Sequence, residues 1–578
     1  MSKSAPKHFF SKFASISTPR SGFDMSFVNT RTIQSDYLYP VKAIMVLPGD
    51  TWSYSVDSMV RMLAPLDVPM MDNIYMKYFA VFVPWRLVWD YTKNFFGEKR
   101  RPDDPEDFTI PTIFFDSTVT TYNAISKNPA LQPGDSGYVA DYNPATTADA
   151  GLPKVKSIYD YFGIPIYGTD SVLTGSFKIN ALSLRSYNLI YDDWFRDEQR
   201  CDYSYANFGN TQDTADKYHL LKCGKAFDYM TSSTLEPQFG DPVTFSIGST
   251  APVVGNGMSL GFTDGTVQYA SRTSTSNGSF VPIIAGYGSD VGTVTSGTSS
   301  MTYGKNMGVT TDPDKSGLIA DISQVSALSV MDLRNMFQVQ AYKEILNKSG
   351  QRLTEYIYGL YGVISPDSRL QRTEYLGECS FRLSTMPVVQ NSATDSVTPQ
   401  GNLAAIVQGS GHGHLFTRSF TEFGYIIILQ KISSDLTYYQ GLDKDWLLST
   451  PYDIPVPVFA NLSDEPIQRQ ELILTGTASD DTSTFGYNER YAFYKYQRNT
   501  LNGLVRPNAP LTIGQWSLAQ QFTTSVANNS DFIESNTPIS RITAVTNEDQ
   551  FIVNHKFTGS AVRPLPQYAN PMQWFRIG

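Results

Sequence analysis

Cysteine is scarce in this sequence. Its 578 residues include three cysteines, Cys201, Cys223 and Cys379. A small and odd number in a chain of this length argues against a disulfide framework and indicates a reducing compartment. Their separations do not match the close spacing of zinc-binding cysteines either. We therefore expect neither disulfides nor a cysteine-bound metal.

Long apolar stretches are also missing. No stretch approaches the roughly 20 apolar residues that a membrane-spanning helix needs. The first residues include lysines but lack the apolar core of a signal peptide. We expect a soluble protein without membrane insertion that is made in the cytoplasm.

Charged residues are few, at 17% of the chain, and the net charge is -10. This balance excludes a nucleic-acid binder whose whole surface is basic, so that any such contact must be local. Both ends nevertheless carry bases without acids. These bases are Lys3, Lys7, Lys12 and Arg20 near the start, and Lys556, Arg563 and Arg576 near the end. Such ends suit contacts with DNA, although ordinary solvated termini have the same composition.

Aromatic residues, glycine and proline are abundant. Aromatics make up 13% of the chain, with Tyr 35 and Phe 34, beside Gly 41 and Pro 33. This composition favours many short strands and turns over long helices. Tyrosine also suits large interfaces, because its ring buries apolar area while its hydroxyl stays hydrogen-bonded. The length allows several domains or one fold with long insertions.

Strand patterns are spread over the whole chain. Residues 51–57 alternate strictly, as a half-buried strand requires. The apolar side consists of Trp52, Tyr54 and Val56, and the polar side of Ser53, Ser55 and Asp57. Further strands are predicted at residues 37–47, 75–84, 420–432, 487–496 and 551–562. Because antiparallel Greek-key pairing joins distant segments, this spread favours a β-sandwich.

Helical spacing occurs in two places. Residues 181–200 carry an aromatic stripe that predicts packing, formed by Tyr187, Ile190, Tyr191, Trp194 and Phe195. Residues 329–348 carry a second stripe, with Ser329 and Asp332 as a capping pair and Gly350 after the end. It is formed by Leu333, Met336, Phe337, Ala341 and Ile345, and a short helix through Tyr356, Ile357 and Leu360 follows. We expect both stripes to pack on the outside of a barrel or between subunits.

The composition changes sharply between residues 251 and 310, where almost half of the residues are Gly, Ser or Thr. A disordered linker is one interpretation. Short apolar and β-branched clusters separated by turn residues favour hairpins instead. We expect an ordered, exposed β excursion inserted into the main fold.

No pattern supports catalysis. His412 and His414 could ligate a metal, but His8, His219 and His555 add no further cluster in sequence. Glycines 255, 257 and 261 lack the spacing of a dinucleotide-binding loop, and neither a P-loop nor a nucleophile elbow is present. Acidic pairs are explained by solvated loops and helix faces. We expect a protein that is not an enzyme, with no catalytic residues, no bound metal and no cofactor.

Several sequence blocks are distinctive. They are residues 46–52 (VLPGDTW), 71–98, 185–199 (RSYNLIYDDWFRDEQ), 365–377 (SPDSRLQRTEYLG), 392–405, 411–414 (GHGH), 435–446 and 485–496 (FGYNERYAFYKY). In this order along the chain they resemble the major capsid proteins of the gokushovirus branch of Microviridae. The blocks cover most of the chain from about residue 20 onward.

The resemblance implies a mainly β fold, an eight-stranded antiparallel jelly roll with long loop insertions that contain short helices. We expect four parts. They are a basic N-terminal arm on the inner surface (residues 1–35), the first part of the jelly roll with helical insertions (36–227), a Gly/Ser/Thr-rich outward protrusion (228–315) and the remainder of the jelly roll with a C-terminal tail (316–578).

The resemblance also implies a function. Sixty copies would form a T=1 icosahedral shell around circular single-stranded DNA, and the protrusion would contact a host surface receptor. A small basic internal phage protein and a pilot protein would be further partners. The shell would be assembled in the cytoplasm of the bacterial host and become the virion capsid.

Two sets of residues follow as predicted contacts. The DNA-contacting set on the inner surface is Lys3, Lys7, Lys12, Arg20, Lys556 and Arg576. The set that meets at a threefold axis of the protrusion is Phe262, Phe280, Ile283 and Ile284. A monomeric β-sandwich that acts as a carbohydrate-binding module or as a glycosidase is the alternative, which converging carboxylates in a cleft would favour.

Overall fold

The architecture was derived from a computed structural model of the chain. It describes residues 19–99, 101–103, 105, 108–116, 153, 155–166, 173, 175–244, 329–389, 391, 401, 403–523, 526–545 and 549–568, together with the backbone of short strands between 253 and 320. The chain forms two compact units. One comprises Met1–Phe239 and Ile345–Gly578, and the other comprises Gly240–Glu344.

The first unit is built on a nine-stranded sheet. Its strands are β1 (Ser21–Asp24), β2 (Phe27–Ile33), β3 (Tyr39–Val46), β4 (Thr51–Met62), β5 (Ile74–Pro84), β6 (Glu374–Val389), β7 (Leu403–Ser419), β8 (Gly424–Ser434) and β9 (Phe551–Arg563). Smaller sheets in this unit are formed by Thr112–Phe115, Phe177–Asn180 and Asp213–Thr214, and by Glu465–Gln468 and Thr484–Asn488.

Two rows of strands make up the large sheet. In one row the strand order is β2, β9, β4, β7, and in the other it is β6, β5, β8, β3. Strand β1 belongs to the first row, where it pairs with the last residues of β9, beyond those that pair with β2. Strand β6 joins the rows, because its first part pairs with β5 and its last part with β7. All these pairings are antiparallel. The predicted mainly β, antiparallel fold is confirmed, and the strand order is consistent with a jelly roll, in which β1 and β2 share one strand position.

Alternating burial along the strands creates the core. In β4 the side chains of Trp52, Tyr54 and Val56 are buried, as the sequence pattern predicts. Strand β5 is buried on both faces from Tyr78 to its end, which fits its uniformly apolar sequence. Burial of apolar area from both rows is the main stabilising contribution to this sandwich.

The predicted strand at residues 487–496 is only partly correct. Strand Thr484–Asn488 is followed by a helical turn, Ala492–Lys495. Tyr491, between them, has a left-handed backbone with φ 62°. A residue in this conformation cannot continue an extended strand, so the chain turns there.

The α-helices of the described residues are short, with one exception. They are α1 (Trp85–Val88), α2 (Thr92–Phe95), α3 (Ile158–Tyr161), α4 (Leu182–Ile190), α5 (Val330–Ser349), α6 (Leu353–Tyr361), α7 (Ala478–Asp481), α8 (Ala492–Lys495) and α9 (Ser530–Ile533). Single 3-10 turns occur at Ala215–Lys217, Lys444–Leu447, Pro457–Phe459, Arg469–Glu471, Gly503–Val505, Gly514–Trp516 and Ile539–Arg541.

Helix α4 carries the predicted aromatic stripe and continues as a π-helical turn, Tyr191–Phe195. Tyr187 is fully buried, and its hydroxyl donates a hydrogen bond to the Leu38 carbonyl at 2.7 Å. Arg185 forms a buried ion pair with Asp213 at 2.8 Å. The stripe therefore belongs to the core of this unit.

Helix α5 begins as predicted, since the Asp332 amide donates to the Ser329 hydroxyl at 3.1 Å. Gly350 follows the helix with φ 96°, a left-handed conformation that glycine adopts without strain. The side chains of Leu333 and Phe337 are exposed, so the predicted stripe does not form a buried face. The predicted short helix after it is present as α6.

The second unit contains short strands at Val253–Gly255, Gly261–Thr263, Gln268–Ala270, Thr293–Ser296, Ser299–Thr302, Gly308–Val309 and Leu318–Ala320. Their described pairings are antiparallel. The boundaries of the predicted parts of the chain, including the protrusion at 228–315, stay predictions. Residues 21–33 of the predicted arm form β1 and β2.

Candidate functional site

One face of the row β2, β9, β4, β7 points away from the core and is polar. We call it the polar face and define it by Thr30, Ser53, Ser55, Asp57, Arg61, Ser410, His412, His414, Asn554, Lys556, Thr558 and Ser560. It arises because successive side chains of a strand point to opposite sides, so that most of the buried aromatic or aliphatic residues are followed by a polar one. Strands that are far apart in the sequence, β2 and β4, β7, and β9, contribute to this one surface.

Hydroxyl and amide groups bridge neighbouring strands of the polar face. Ser53 and Thr417 are 2.8 Å apart at their hydroxyl oxygens. The Asn554 amide donates to the Thr30 hydroxyl at 2.7 Å. Such cross-strand pairs fix side-chain orientation and leave further donors directed to the solvent.

The charges of the polar face surround one carboxylate. Lys556 and His412 lie on either side of Asp57 in the strand register. The distance from His412 Nδ1 to Asp57 Oδ1 is 2.5 Å. Lys556 and Arg61 supply the positive charges of this face, and Asp24, opposite Ser560 in the strand register, adds a second carboxylate close to Lys556.

The GHGH sequence is explained by the two sides of β7. His412 and His414 lie on the polar face, where His414 contacts the hydroxyls of Ser55 at 3.3 Å and Thr417 at 3.2 Å. Gly411 and Gly413 point inward against β6. A Cβ atom on Gly413 would lie 2.2 Å from Cys379 Sγ. The glycines permit close packing of the two rows, and the described residues contain no group of three or more potential metal ligands.

A buried polar group lies directly beneath the polar face. His555 is fully buried, and its Nδ1 is 3.2 Å from the Tyr78 hydroxyl, which is 2.9 Å from the Ser58 hydroxyl. Burial lowers the pKa of His555 to about 3, and the positive charge of Arg31 adds to this effect. The imidazole is therefore neutral at physiological pH and supports the fold instead of contacting a ligand.

A polar cleft of about 980 Å³ lies elsewhere in the first unit. It is lined by residues including Asp36, Lys222, Lys225, Asp531 and Arg541. Lys225 donates to the Phe532 carbonyl, and burial lowers the pKa of this lysine to about 8. Asp36 is occupied by hydrogen bonds from Ser535 at 2.6 Å and Thr537 at 2.6 Å. These contacts hold the chain segment after α9 against Asp36, between β2 and β3. They do not bring carboxylates together as a catalytic site would.

The predicted contact residues fall in different places. Lys556 lies on the polar face, and Arg20 lies at the end of the sheet, where its Nη2 would be 3.2 Å from a Cβ atom on Gly49. Lys3, Lys7, Lys12 and Arg576 lie outside the described residues, as do Phe280, Ile283 and Ile284. Phe262 lies in the strand Gly261–Thr263 of the second unit, of which the backbone is described.

Sequence reasoning missed most of the polar face. Asn554, Thr558 and Ser560 were not singled out, and His412 was considered only as a metal ligand. The alternation in residues 51–57 did indicate one polar side. Its partners could not be found from the sequence, because they come from strands hundreds of residues away.

The first unit also exposes many large apolar side chains. They include Phe227, Ile364, Trp446, Tyr452, Val458, Tyr494 and Leu511. Exposed apolar surface on this scale is typical of proteins that bind other proteins. Among the described residues, no helix is long and apolar enough to cross a bilayer.

The family and the three relatives found by sequence comparison are all described as capsid proteins. The family described as "Capsid protein (F protein)" matches residues 11–134 and 131–573. The chain is 34% identical over 580 residues to "Capsid protein VP1" of Bdellovibrio phage phiMH2K, covering 99% of this chain and 98% of that protein. It is 32% identical over 621 residues to "Capsid protein VP1" of Chlamydia phage 1, covering 98% of each. It is 29% identical over 608 residues to "Capsid protein VP1" of Spiroplasma virus 4, covering 99% of this chain and 98% of that protein.

Proposed function

Because this chain belongs to the phage capsid protein (F protein) family, we propose that sixty copies assemble into a T=1 icosahedral shell around circular single-stranded DNA. The predicted relationship to Microviridae capsid proteins is confirmed by the relatives, which align over nearly their whole length. The chain is thus a structural capsid protein and not an enzyme. The number of copies, the symmetry of the shell and the enclosed DNA are what we propose.

The observation that carries this proposal is the full-length similarity combined with exposed apolar surface on a rigid β framework. A closed shell leaves no open interface, and many modest contacts repeated around it give high stability without one strong pairing. Exposed side chains such as Val458 and Leu511 would be buried in these repeated contacts.

The polar face supports a role towards the genome. Lys556 and Arg61 offer positive charge, and the hydroxyl, amide and imidazole groups around them offer hydrogen-bond donors. Such groups bind phosphate oxygens without reading base sequence, which suits a shell that encloses a whole genome. In this proposal the predicted set Lys3, Lys7, Lys12, Arg20, Lys556 and Arg576 lies on the inner surface of the shell.

The insertion at residues 228–315 is proposed as an outward protrusion that contacts a host surface receptor. Its low charge and its small polar residues suit a surface that can vary without disturbing a core. Phe262, Phe280, Ile283 and Ile284 would meet at a threefold axis. A small basic internal protein and a pilot protein are further proposed partners, with assembly in the bacterial cytoplasm.

The test is to express the chain and measure its assembly by sedimentation velocity and negative-stain electron microscopy, in the presence and absence of circular single-stranded DNA. Uniform closed particles that protect the DNA from nuclease are expected. A stable monomer that never assembles, and that binds or hydrolyses a polysaccharide, would instead support the carbohydrate-binding or glycosidase alternative.

A further inference from the structure

Residues 446–463 form a loop that is almost free of charge. Asp453 is its one charged residue, and prolines stand at positions 451, 455 and 457. The Asp453 carboxylate accepts hydrogen bonds from the amides of Ser449 at 3.0 Å and Thr450 at 2.7 Å, so its charge is used within its own turn. The loop is stiffened by these bonds and by the fixed φ of proline.

This loop, which we call the proline loop, presents its apolar side chains to the solvent. Trp446 is 79% exposed and Val458 is 81% exposed. Tyr452, Ile454 and Leu462 are at least half exposed as well. Indole and aliphatic groups in this arrangement gain free energy only when another surface covers them.

A second loop, residues 501–514, is closed by its own hydrogen bonds. The Ile513 amide donates to the Leu504 carbonyl at 2.8 Å, and the Thr512 hydroxyl donates to the Arg506 carbonyl at 2.6 Å. Leu511 stands at its tip, 93% exposed, with a left-handed backbone of φ 56°. Leucine rarely adopts this conformation, and such local strain is typical of functional positions. We call this segment the Leu511 loop.

The chain segments that precede the two loops are paired with each other. Tyr438 and Thr500 form a parallel bridge, so the two chain segments leave it in the same direction. Arg498 fixes this pairing, because it donates to Asp443 at 2.8 Å and to the Glu471 carbonyl at 2.6 Å. Both apolar loops therefore follow chain segments that are paired with each other at Tyr438 and Thr500.

The exposed area of the two loops is large enough for a specific interface. With roughly 100 Å² for an aliphatic side chain and roughly 200 Å² for an aromatic one, they expose on the order of 700 Å² of apolar surface. The largest apolar patch of a typical monomer is roughly 300 to 600 Å², and a standard interface buries about 800 Å² of each partner. The scarcity of charge argues against a polyanion as the occupant.

We propose that the proline loop and the Leu511 loop together form a docking surface for a second copy of this chain. The inference rests on the proposed function, since a shell subunit must contact its own copies. The loops are ordered before contact, so docking costs little conformational entropy, and this favours assembly through many weak contacts.

The test is the double variant Val458→Asn/Leu511→Asn, made in the full chain. Asparagine tolerates the left-handed backbone at position 511, so the subunit keeps its fold while the apolar contact is lost. We expect an unchanged melting temperature of the unassembled subunit. The yield of closed particles should fall by about tenfold or more, because the loss is repeated at every equivalent interface. The matched control is Val28→Thr, which changes an aliphatic side chain of β2 that is 62% exposed, and it should assemble normally.

Hydrogen exchange provides a second measurement. Amides of residues 446–463 and 501–514 should be protected in particles beyond their protection in dissociated subunits. Equal protection in both states would mean that no second copy covers the loops in the particle, and full assembly of the double variant would mean that copies dock elsewhere. Either result overturns this inference while the capsid proposal stands. Failure of the unchanged chain to assemble at all would overturn the capsid proposal itself.

Discussion

Gly411 of β7 and Phe381 of β6 are in such close contact that a Cβ atom on residue 411 would lie 2.4 Å from Cγ of the phenyl ring. The same crowding occurs at Gly409, whose added Cβ would be 2.5 Å from a methyl carbon of Leu383. Alternate glycines on one side of β7 therefore let β6 cross from one row of the sandwich to the other. On the opposite side of the same strand, the intervening residues form part of the polar face.

The first prediction concerns this crossing. Gly411→Ala should lower the free energy of unfolding by about 1 to 3 kcal/mol, because the added methyl group meets the base of the partly buried Phe381 ring, which must shift to accommodate it. Chemical denaturation of the unassembled subunit measures this. Gly22→Ala in β1 is the control, since its added methyl group has no neighbour within 4 Å. Equal stability of the two variants would show that the contact at 411 is not tight.

The second prediction concerns acid stability. His555 has a folded-state pKa of about 3, lowered by burial from the ordinary value of 6.5. Between these values the unfolded chain binds a proton that the folded chain does not, so stability falls as the pH falls from about 6.5 to 3. The loss approaches about 4 kcal/mol at the acid end. Denaturation curves at several pH values should show this loss in the unchanged protein and its absence in His555→Gln. Parallel pH profiles of the two proteins would contradict it.

The third prediction concerns the polar face. Lys556→Gln should weaken binding of single-stranded oligonucleotides without regard to sequence. It should reduce the slope of log affinity against log salt by roughly 0.7, the amount expected for one phosphate contact. Fluorescence anisotropy on subunits and the DNA content of particles measure these effects. Lys495→Gln is the control, because that ammonium group pairs with Glu489 at 2.9 Å away from the polar face. An identical salt slope in both variants would place the genome elsewhere.

The fourth prediction concerns the insertion. Replacing residues 251–310 with a short Gly-Ser linker should preserve closed particles and abolish adsorption to host cells, because the receptor contact is proposed to lie there. Electron microscopy and an adsorption assay report the two outcomes separately. Loss of particles would assign the segment to the shell, and normal adsorption would assign the receptor contact to another surface.

The fifth prediction concerns Trp194, which packs against the core but is only half-buried. Its indole nitrogen donates to the Thr373 hydroxyl at 2.8 Å, and Arg372 lies 3.8 Å above its ring. Trp194→Ala should cost about 2 to 3 kcal/mol, below the range for a fully buried tryptophan. The control Trp446→Ala should leave subunit stability unchanged, because that side chain is exposed. Similar melting temperatures for both variants would remove Trp194 from the packing.

Local patterns in the sequence determined much of the fold. The alternation through Trp52, Tyr54 and Val56 predicts β4, and the helical spacing from Tyr187 to Tyr191 predicts a buried helix. Both predictions are confirmed, because each depends on the direction of side chains along a single element. The departures are local too. Tyr491 adopts a left-handed backbone that the neighbouring residues in the sequence do not indicate.

The tertiary structure alone decided the rest. The sequence determined that Asp57 lies on the polar side of its strand and that two histidines flank a glycine at 413. Only the pairing of β4 with β7 and β9 placed Asp57 between His412 and Lys556. Strand register depends on contacts between segments hundreds of residues apart, whose hydrogen bonds are the same for every sequence. Local residue patterns therefore determined the strands and their two sides, whereas the packing of distant strands decided which polar groups share a surface.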